Sequence, residues 1–189
     1  MNQILFINSC VRPDSRTYAL ARHLLEKLHG QVEEVCLERE PIPPLTWASL
    51  QDRDAQVKAR DYSGPMFRYA RQFAQADVIV LAAPYWDLAF PASVKAYFEA
   101  VTVLGLTFFY TPEGRPAGLC RAKKLLYVAT AGGPMHGTNL GFDYVRALAS
   151  TFYGIPEVQF FGAENLDIIG ADVPGVLERA KREIDAAFS

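Results

Sequence analysis

Unbroken apolar runs alternate along this chain with stretches whose apolar residues recur every three or four positions. Runs at Gln3–Asn8, Val32–Leu37, Val78–Ala83, Lys124–Ala131 and Pro156–Gly162 read as strands. The periodic stretches at Arg16–His29, Pro65–Ala76, Pro91–Ala100, Phe142–Phe152 and Val173–Phe188 read as helices. Val78-Ile79-Val80-Leu81-Ala82-Ala83 has no polar position, which marks a parallel strand covered on both faces. Leu20, Leu24, Leu25 and Leu28 form the stripe of the first helix, Gly30 suits the stop after it, and Pro91 suits the first turn of a later one. Strands alternating with helices predict an α/β fold built on one doubly wound, five-stranded parallel sheet with right-handed crossovers. Between Arg39 and Gly64 the pattern lapses. The prolines of Glu40-Pro41-Ile42-Pro43-Pro44-Leu45 exclude a central strand, and a short helix is expected around Asp52–Arg60.

Composition narrows the class. The 189 residues suit a single domain spanning 1–189, and a half-hydrophobic composition supplies its core. A formal net charge of −2, with no basic stripe, argues against nucleic acid as a partner. No apolar stretch approaches the roughly 20 residues that cross a bilayer. Met1-Asn2-Gln3 leads directly into a strand, without the basic and apolar regions of a secretory signal, so a cytoplasmic protein with no membrane partner is expected. Cys10, Cys36 and Cys120 are odd in number and far apart, which fits neither a disulfide framework nor a metal site.

In an open α/β sheet, ligands bind beyond the carboxyl ends of the strands, near the point where strand order reverses. Three loops qualify. The first, Ser9–Thr17, carries the hydroxyls of Ser9, Ser15 and Thr17 into the start of the first helix, whose free N–H groups and dipole favour an anion. It is neither G-x-G-x-x-G nor G-x-x-x-x-G-K-[ST], so dinucleotide and P-loop readings lose support, and a plain helix cap explains it equally well. The second, Pro84-Tyr85-Trp86-Asp87-Leu88-Ala89-Phe90-Pro91, sets two aromatics between prolines, outside any helical or strand period, where they can frame a planar ring. The third, Thr130-Ala131-Gly132-Gly133-Pro134-Met135-His136-Gly137, offers glycines that admit close backbone approach to a flat ligand. His136 is a candidate donor there or a solvent-exposed loop histidine.

Ala83-Pro84-Tyr85-Trp86-Asp87-Leu88 followed by Pro91-Ala92-Ser93-Val94-Lys95-Ala96-Tyr97-Phe98-Glu99 resembles the third-strand loop and helix of the flavodoxin-like NAD(P)H:quinone reductases and FMN-dependent azoreductases. Gly105-Leu106-Thr107-Phe108-Phe109-Tyr110 resembles that family's G-x-T-F-x-Y segment, and Ser9 with Ser15-Arg16-Thr17 its first loop. The resemblance runs almost end to end and keeps motif order. It implies a flavodoxin-like sheet of order 2-1-3-4-5. FMN would be held at its phosphate by Ser9, Ser15, Arg16 and Thr17, along its ring and ribityl chain by Pro84, Tyr85, Trp86, Asp87 and Leu88, and at the ring's polar edge by Thr130, Ala131, Gly132 and Gly133. It implies two-electron, ping-pong hydride transfer from NADH or NADPH to quinones, azo compounds or similar flat acceptors, with the hard chemistry at the flavin. His136 and Tyr110 become candidate catalytic contributors. Phe108, Phe109 and Tyr110 become an aromatic wall of the acceptor pocket, shared across a homodimer.

The chain departs from the family at Asp87, where azoreductases usually carry Asn. An amide can donate to the ring, whereas an ionised carboxylate only accepts and would lower the flavin's potential. Two other readings stand beside the enzyme. A flavodoxin-like electron carrier would be more acidic and would react slowly with NAD(P)H. A non-enzymatic module on the same scaffold would not need to bind flavin at all.

Overall fold

The computed structural model describes residues 2–189. Its main sheet is parallel, and the apolar runs of the sequence are its strands: β1 (Asn2–Asn8), β2 (Gly30–Cys36), β3 (Val78–Ala82), β6 (Lys124–Thr130) and β7 (Glu157–Ala163), in the order β2-β1-β3-β6-β7. A short antiparallel hairpin, β4 (Phe108–Tyr110) and β5 (Pro116–Gly118), interrupts the numbering. Counted without it, the parallel strands follow the flavodoxin-like order 2-1-3-4-5.

The apolar runs lack alternation because both faces are covered. Ile4, Phe6, Val80, Ala82, Leu126 and Val128 pack beneath α1 (Arg16–Leu25) and α6 (Val173–Ala187). Leu5, Ile7, Ile79, Leu81, Leu125 and Tyr127 enter a larger core on the other face. That core is shared with α3 (Arg68–Gln75), α4 (Ala92–Val101) and α5 (Leu140–Leu148). Its centre is aromatic, with the Phe73 and Tyr153 rings edge to face at 4.7 Å and Tyr97 and Phe98 packed around them. Rings in such arrangements add specific geometry to a large buried area.

Several helix bounds differ from the sequence expectation for local reasons. α1 stops at Leu25, because Lys27 and Leu28 tighten into turns on the Leu24 and Leu25 carbonyls. Pro91 caps α4 instead of opening it. The helix in the irregular segment, α2 (Trp47–Ala59), starts five residues earlier than expected, because Thr46 and Ser49 form a reciprocal capping box. None of its residues is buried. It is tied down by Arg53, whose guanidinium donates to the carbonyls of Glu99 and Thr102 at the negative end of α4.

α1 and α6 are also joined on the surface. Lys27 Nζ and His23 Nε2 lie 2.6 and 2.8 Å from Asp185 Oδ1, and hydrogen bonding to them, Lys27 foremost, holds that carboxyl below its ordinary value. A depressed folded pKa contributes stability above the unfolded value of about 3.9, and the contribution disappears as pH falls through the folded value. Asp185→Asn is therefore expected to lower the melting temperature slightly at neutral pH and to match the parent near pH ~2. Equal melting temperatures at both pH values would show that the clasp contributes nothing.

Candidate functional site

In register, Asn8 pairs with Cys36 and Ala82, and Thr130 with Ala163, so all five strands end at one edge of the sheet. β1 and β3 flank the point where strand order reverses, and the site forms above them.

The first wall is the start of α1. Ser15 caps it, its Oγ accepting the Tyr18 N–H at 3.2 Å. Arg16 and Thr17, the first two residues of the helix, have N–H groups with no intrahelical partner. Thr17 is buried, with Oγ1 2.6 Å from Thr130 Oγ1, which joins the helix start to the end of β6. The second wall is the loop after β3. The Tyr85 N–H donates to the Thr130 carbonyl at 3.0 Å, and its hydroxyl donates to the Thr138 carbonyl at 2.9 Å. Trp86 and Ala89 then exchange two backbone bonds around Asp87 and Leu88, whose φ values are +50° and +68°. That is a two-residue turn of the left-handed type, ordinarily filled by Asn-Gly. A leucine held there costs roughly 1–2 kcal/mol, and such strain gathers at functional sites.

The third wall is the loop after β6, zipped to the loop after β7. Leu166 and Asp167 donate their N–H groups to the Ala131 and Gly132 carbonyls at 3.2 and 2.8 Å. Gly132 leaves room for the Asp167 carboxylate, since a Cβ there would lie 2.2 Å from Asp167 Oδ2. Together the walls enclose a cavity of about 330 Å³. Its lining includes Ser15, Arg16, Thr17, Pro84, Tyr85, Trp86, Thr130, Ala131 and Gly132, so nine of the thirteen residues expected to hold a cofactor meet in one place. The volume is at the lower end of the roughly 300–1,000 Å³ usual for ligand pockets.

The structure corrects several expectations. Ser9 is fully buried, and its hydroxyl donates to the Ala82 carbonyl at 3.0 Å, so it supports the loop from beneath and does not line the cavity. Asp87, Leu88 and Gly133 stay on their loops without lining it. His136 sits in a tight turn with Gly137, both at positive φ, and is exposed outside the cavity. Phe108 is a core residue, edge to face with Phe152 at 5.0 Å. Phe109 and Tyr110 are exposed, but their hairpin leaves the end of α4 at the opposite edge of the sheet. There Arg121 and Lys123 return the chain to β6 by bonding to the carbonyls of Ala74 and Asp77. No residue of the hairpin reaches the cavity within one chain. Thr107 of the G-x-T-F-x-Y segment is buried and braces the elbow after α4, donating to the Val101 carbonyl and accepting from the Val103 N–H.

The sequence reading missed Leu166 and Asp167. The rule that sites form at carboxyl strand ends applied equally to the loop after β7, but that loop carries no motif to single it out. Arg12 and Asp14 of the first loop also line the cavity. Cys10 is buried, which pushes its thiol up to about 11 and makes it a poor nucleophile at neutral pH. Among the described residues no cluster of His, Cys, Asp or Glu could hold a metal ion, and no helix is long and apolar enough to cross a membrane.

Comparison with known proteins agrees with the architecture. The chain is 36% identical over 195 residues to the FMN-dependent NADH:quinone oxidoreductase of Lachnoclostridium phytofermentans, covering 97% of this chain and 96% of that one. It is 34% identical over 200 residues to FMN-dependent NADH:quinone oxidoreductase 2 of Clostridium acetobutylicum, covering 97% and 98%. Among solved structures, an azoreductase from Bacillus anthracis str. Sterne superposes with a TM-score of 0.85 at 23% identity, covering 100% of this chain and 99% of that one. An FMN-dependent NADH-azoreductase from Bacillus anthracis str. Ames Ancestor, solved in complex with FMN, superposes with a TM-score of 0.82 at 22% identity, covering 99% and 98%. Residues 2–188 match the family described as having a flavodoxin-like fold, and the chain belongs to it, within the branch that holds the FMN-dependent NADH:quinone oxidoreductases.

Proposed function

We propose that the cavity holds FMN and that the protein is an FMN-dependent NADH oxidoreductase, passing two electrons to quinones, azo compounds or similar flat acceptors. The observation that carries this reading is the meeting, in one cavity, of a capped helix start, an aromatic turn and a glycine loop. The donor set suits the cofactor. The N–H groups of Arg16 and Thr17 with the hydroxyls of Ser15 and Thr17 take the phosphate, as helix starts do. Pro84, Tyr85 and Trp86 follow the ribityl chain and ring, and Thr130, Ala131 and Gly132 lie along the polar edge. FMN held there would supply the redox chemistry, the exchange of two electrons as hydride between a nicotinamide and a flat acceptor. The protein's share is to fix the ring, shield one face and adjust the charge nearby. The names of the relatives support NADH as the donor.

The test is direct. The purified protein should be yellow or reconstitute with FMN, and one equivalent of NADH should bleach it rapidly, with a quinone restoring the colour. A colourless chain that cannot be reconstituted would overturn the reading, and a flavin that NADH reduces only very slowly would favour an electron carrier.

The reading extends to a single cytoplasmic domain over 1–189 that works as a homodimer. Phe109 and Tyr110 are exposed at the edge opposite the cavity, so they serve an acceptor pocket only from a second copy. Trp47, 73% exposed on a helix with no buried residue, is further apolar surface suited to such a contact. Light scattering is expected to give twice the 21.0 kDa chain mass, and a monomer at working concentration would remove the shared pocket. Asp87→Asn is expected to raise the flavin midpoint potential by roughly 30 mV, equivalent to ~1.4 kcal/mol for a two-electron couple. An unchanged potential would remove Asp87 from the flavin's electrostatic environment.

A further inference from the structure

The cavity lining carries four charged side chains, Arg12 and Arg16 against Asp14 and Asp167, whose formal charges cancel. This is unexpected for a site meant to receive a phosphate monoester. Asp167 is also held with little freedom. Its N–H bonds to the Gly132 carbonyl at 2.8 Å, the adjacent N–H groups of Leu166 and Asn165 bond to Ala131 and Gly133 at 3.2 Å each, and Asn165 turns the chain at φ +66°. Its carboxylate rests against Gly132, where any side chain would displace it. From there Oδ1 takes Arg16 Nη1 at 2.7 Å, while the same nitrogen reaches the Leu166 carbonyl at 3.1 Å. Both hydrogens of Nη1 are thereby engaged. Nε and Nη2 make no hydrogen bond among the described residues.

We infer that Asp167 sets the affinity for the cofactor, by competing with the flavin phosphate for Arg16 and repelling the phosphate within the same cavity. The inference rests on the FMN reading and deepens it. Arg16 opens α1, so its own N–H belongs to the proposed phosphate cradle while its side chain is turned toward Asp167. A dianion entering the cradle meets a fixed carboxylate in the same cavity and draws on a guanidinium already paired. The pair is largely exposed to solvent, with side-chain exposures of 41% for Arg16 and 63% for Asp167, so its influence should be modest and sensitive to salt. The consequence is a flavin bound reversibly and able to exchange.

Asp167→Asn removes the charge. It keeps the shape and leaves an amide oxygen to accept from Arg16, and its nitrogen can donate to a phosphate. The experiment titrates apoprotein, parent and variant, with FMN and separately with riboflavin, following the quenching of flavin fluorescence, with circular dichroism melts as the check on folding. The expected result is FMN binding about tenfold tighter in the variant at low salt, riboflavin binding unchanged, and a smaller FMN difference near 1 M salt, where the screening length is about 3 Å. FMN affinity that is unchanged or weaker in the variant overturns the inference, as does an equal tightening of riboflavin, which would mark a change of pocket shape. A parent chain that binds neither flavin instead overturns the FMN reading itself, so the two failures are distinguishable.

Discussion

Ser15→Asp is expected to leave the fold intact and to abolish useful flavin binding. Aspartate is as good a helix cap as serine, so the Tyr18 N–H that Ser15 Oγ now accepts keeps a partner. The melting temperature should move little. The added carboxylate, however, lies in the cavity wall beside the free N–H groups of Arg16 and Thr17, where the phosphate is proposed to sit. A negative charge about 5 Å from the phosphate costs roughly 3 kcal/mol for each unit of phosphate charge at an effective dielectric of about 20, which weakens binding by a hundredfold or more. FMN titration of the apoprotein measures it. NADH oxidation should fall in parallel at limiting FMN and recover when FMN is raised well above the new dissociation constant. A variant that binds FMN as the parent does would remove the phosphate from the start of α1.

Gly118→Ala should cause a large loss of stability. A Cβ at Gly118 would lie 2.1 Å from the Tyr153 carbonyl carbon and 2.2 Å from the Gly154 nitrogen. Both are backbone atoms and cannot swing aside. Tyr153 ends a π-helical turn, Ala149–Tyr153, that continues α5, and its buried ring belongs to the aromatic centre of the core. The methyl group must therefore either lift the β4–β5 hairpin or displace that turn. Overpacking of this kind costs about 3 kcal/mol, a fall of roughly 6–12 °C for a chain of this size. Gly133→Ala is the control, because a Cβ there meets nothing within 4 Å and φ is not positive. It should stay within about 1 kcal/mol of the parent. If the two alanines melt alike, the hairpin is not seated as described. A folded Gly118→Ala protein with a detached hairpin should also lose the proposed dimer contact, since Phe109 and Tyr110 would no longer be presented.

The parallel sheet was legible because its strands are buried on both faces and therefore read as unbroken apolar runs, as in Val78–Ala83. The short hairpin was not. Its two strands are three residues each, and Phe108-Phe109-Tyr110 shows neither alternation nor helical spacing. The same brevity explains the misreading of Phe108 as a pocket wall. Of the hairpin's three aromatics only Phe108 is buried while Phe109 and Tyr110 are exposed, and the contact of Phe108 with Phe152 in the π-helical turn, not a sequence pattern, decides that. Ser9 was misassigned because a hydroxyl's role depends on the nearest acceptor, and that acceptor, Ala82, lies 73 positions away. His136 takes the second of its two readings, the solvent-exposed loop histidine, because its direction is set by a turn at positive φ that no residue except Gly137 announces.

The linear order of residues alone determined the fold class, the edge of the sheet at which the site forms, and the residue types gathered there, because these follow from local periodicity and from where strands end. The tertiary structure alone decided which of those residues line the cavity and which lie beneath it. It also brought Asp167 against Arg16 and set Tyr110 at the opposite edge. Such outcomes depend on distances between residues far apart in the chain, on which neighbour satisfies each hydroxyl and on which way each turn faces, and none of these is encoded at the position it affects.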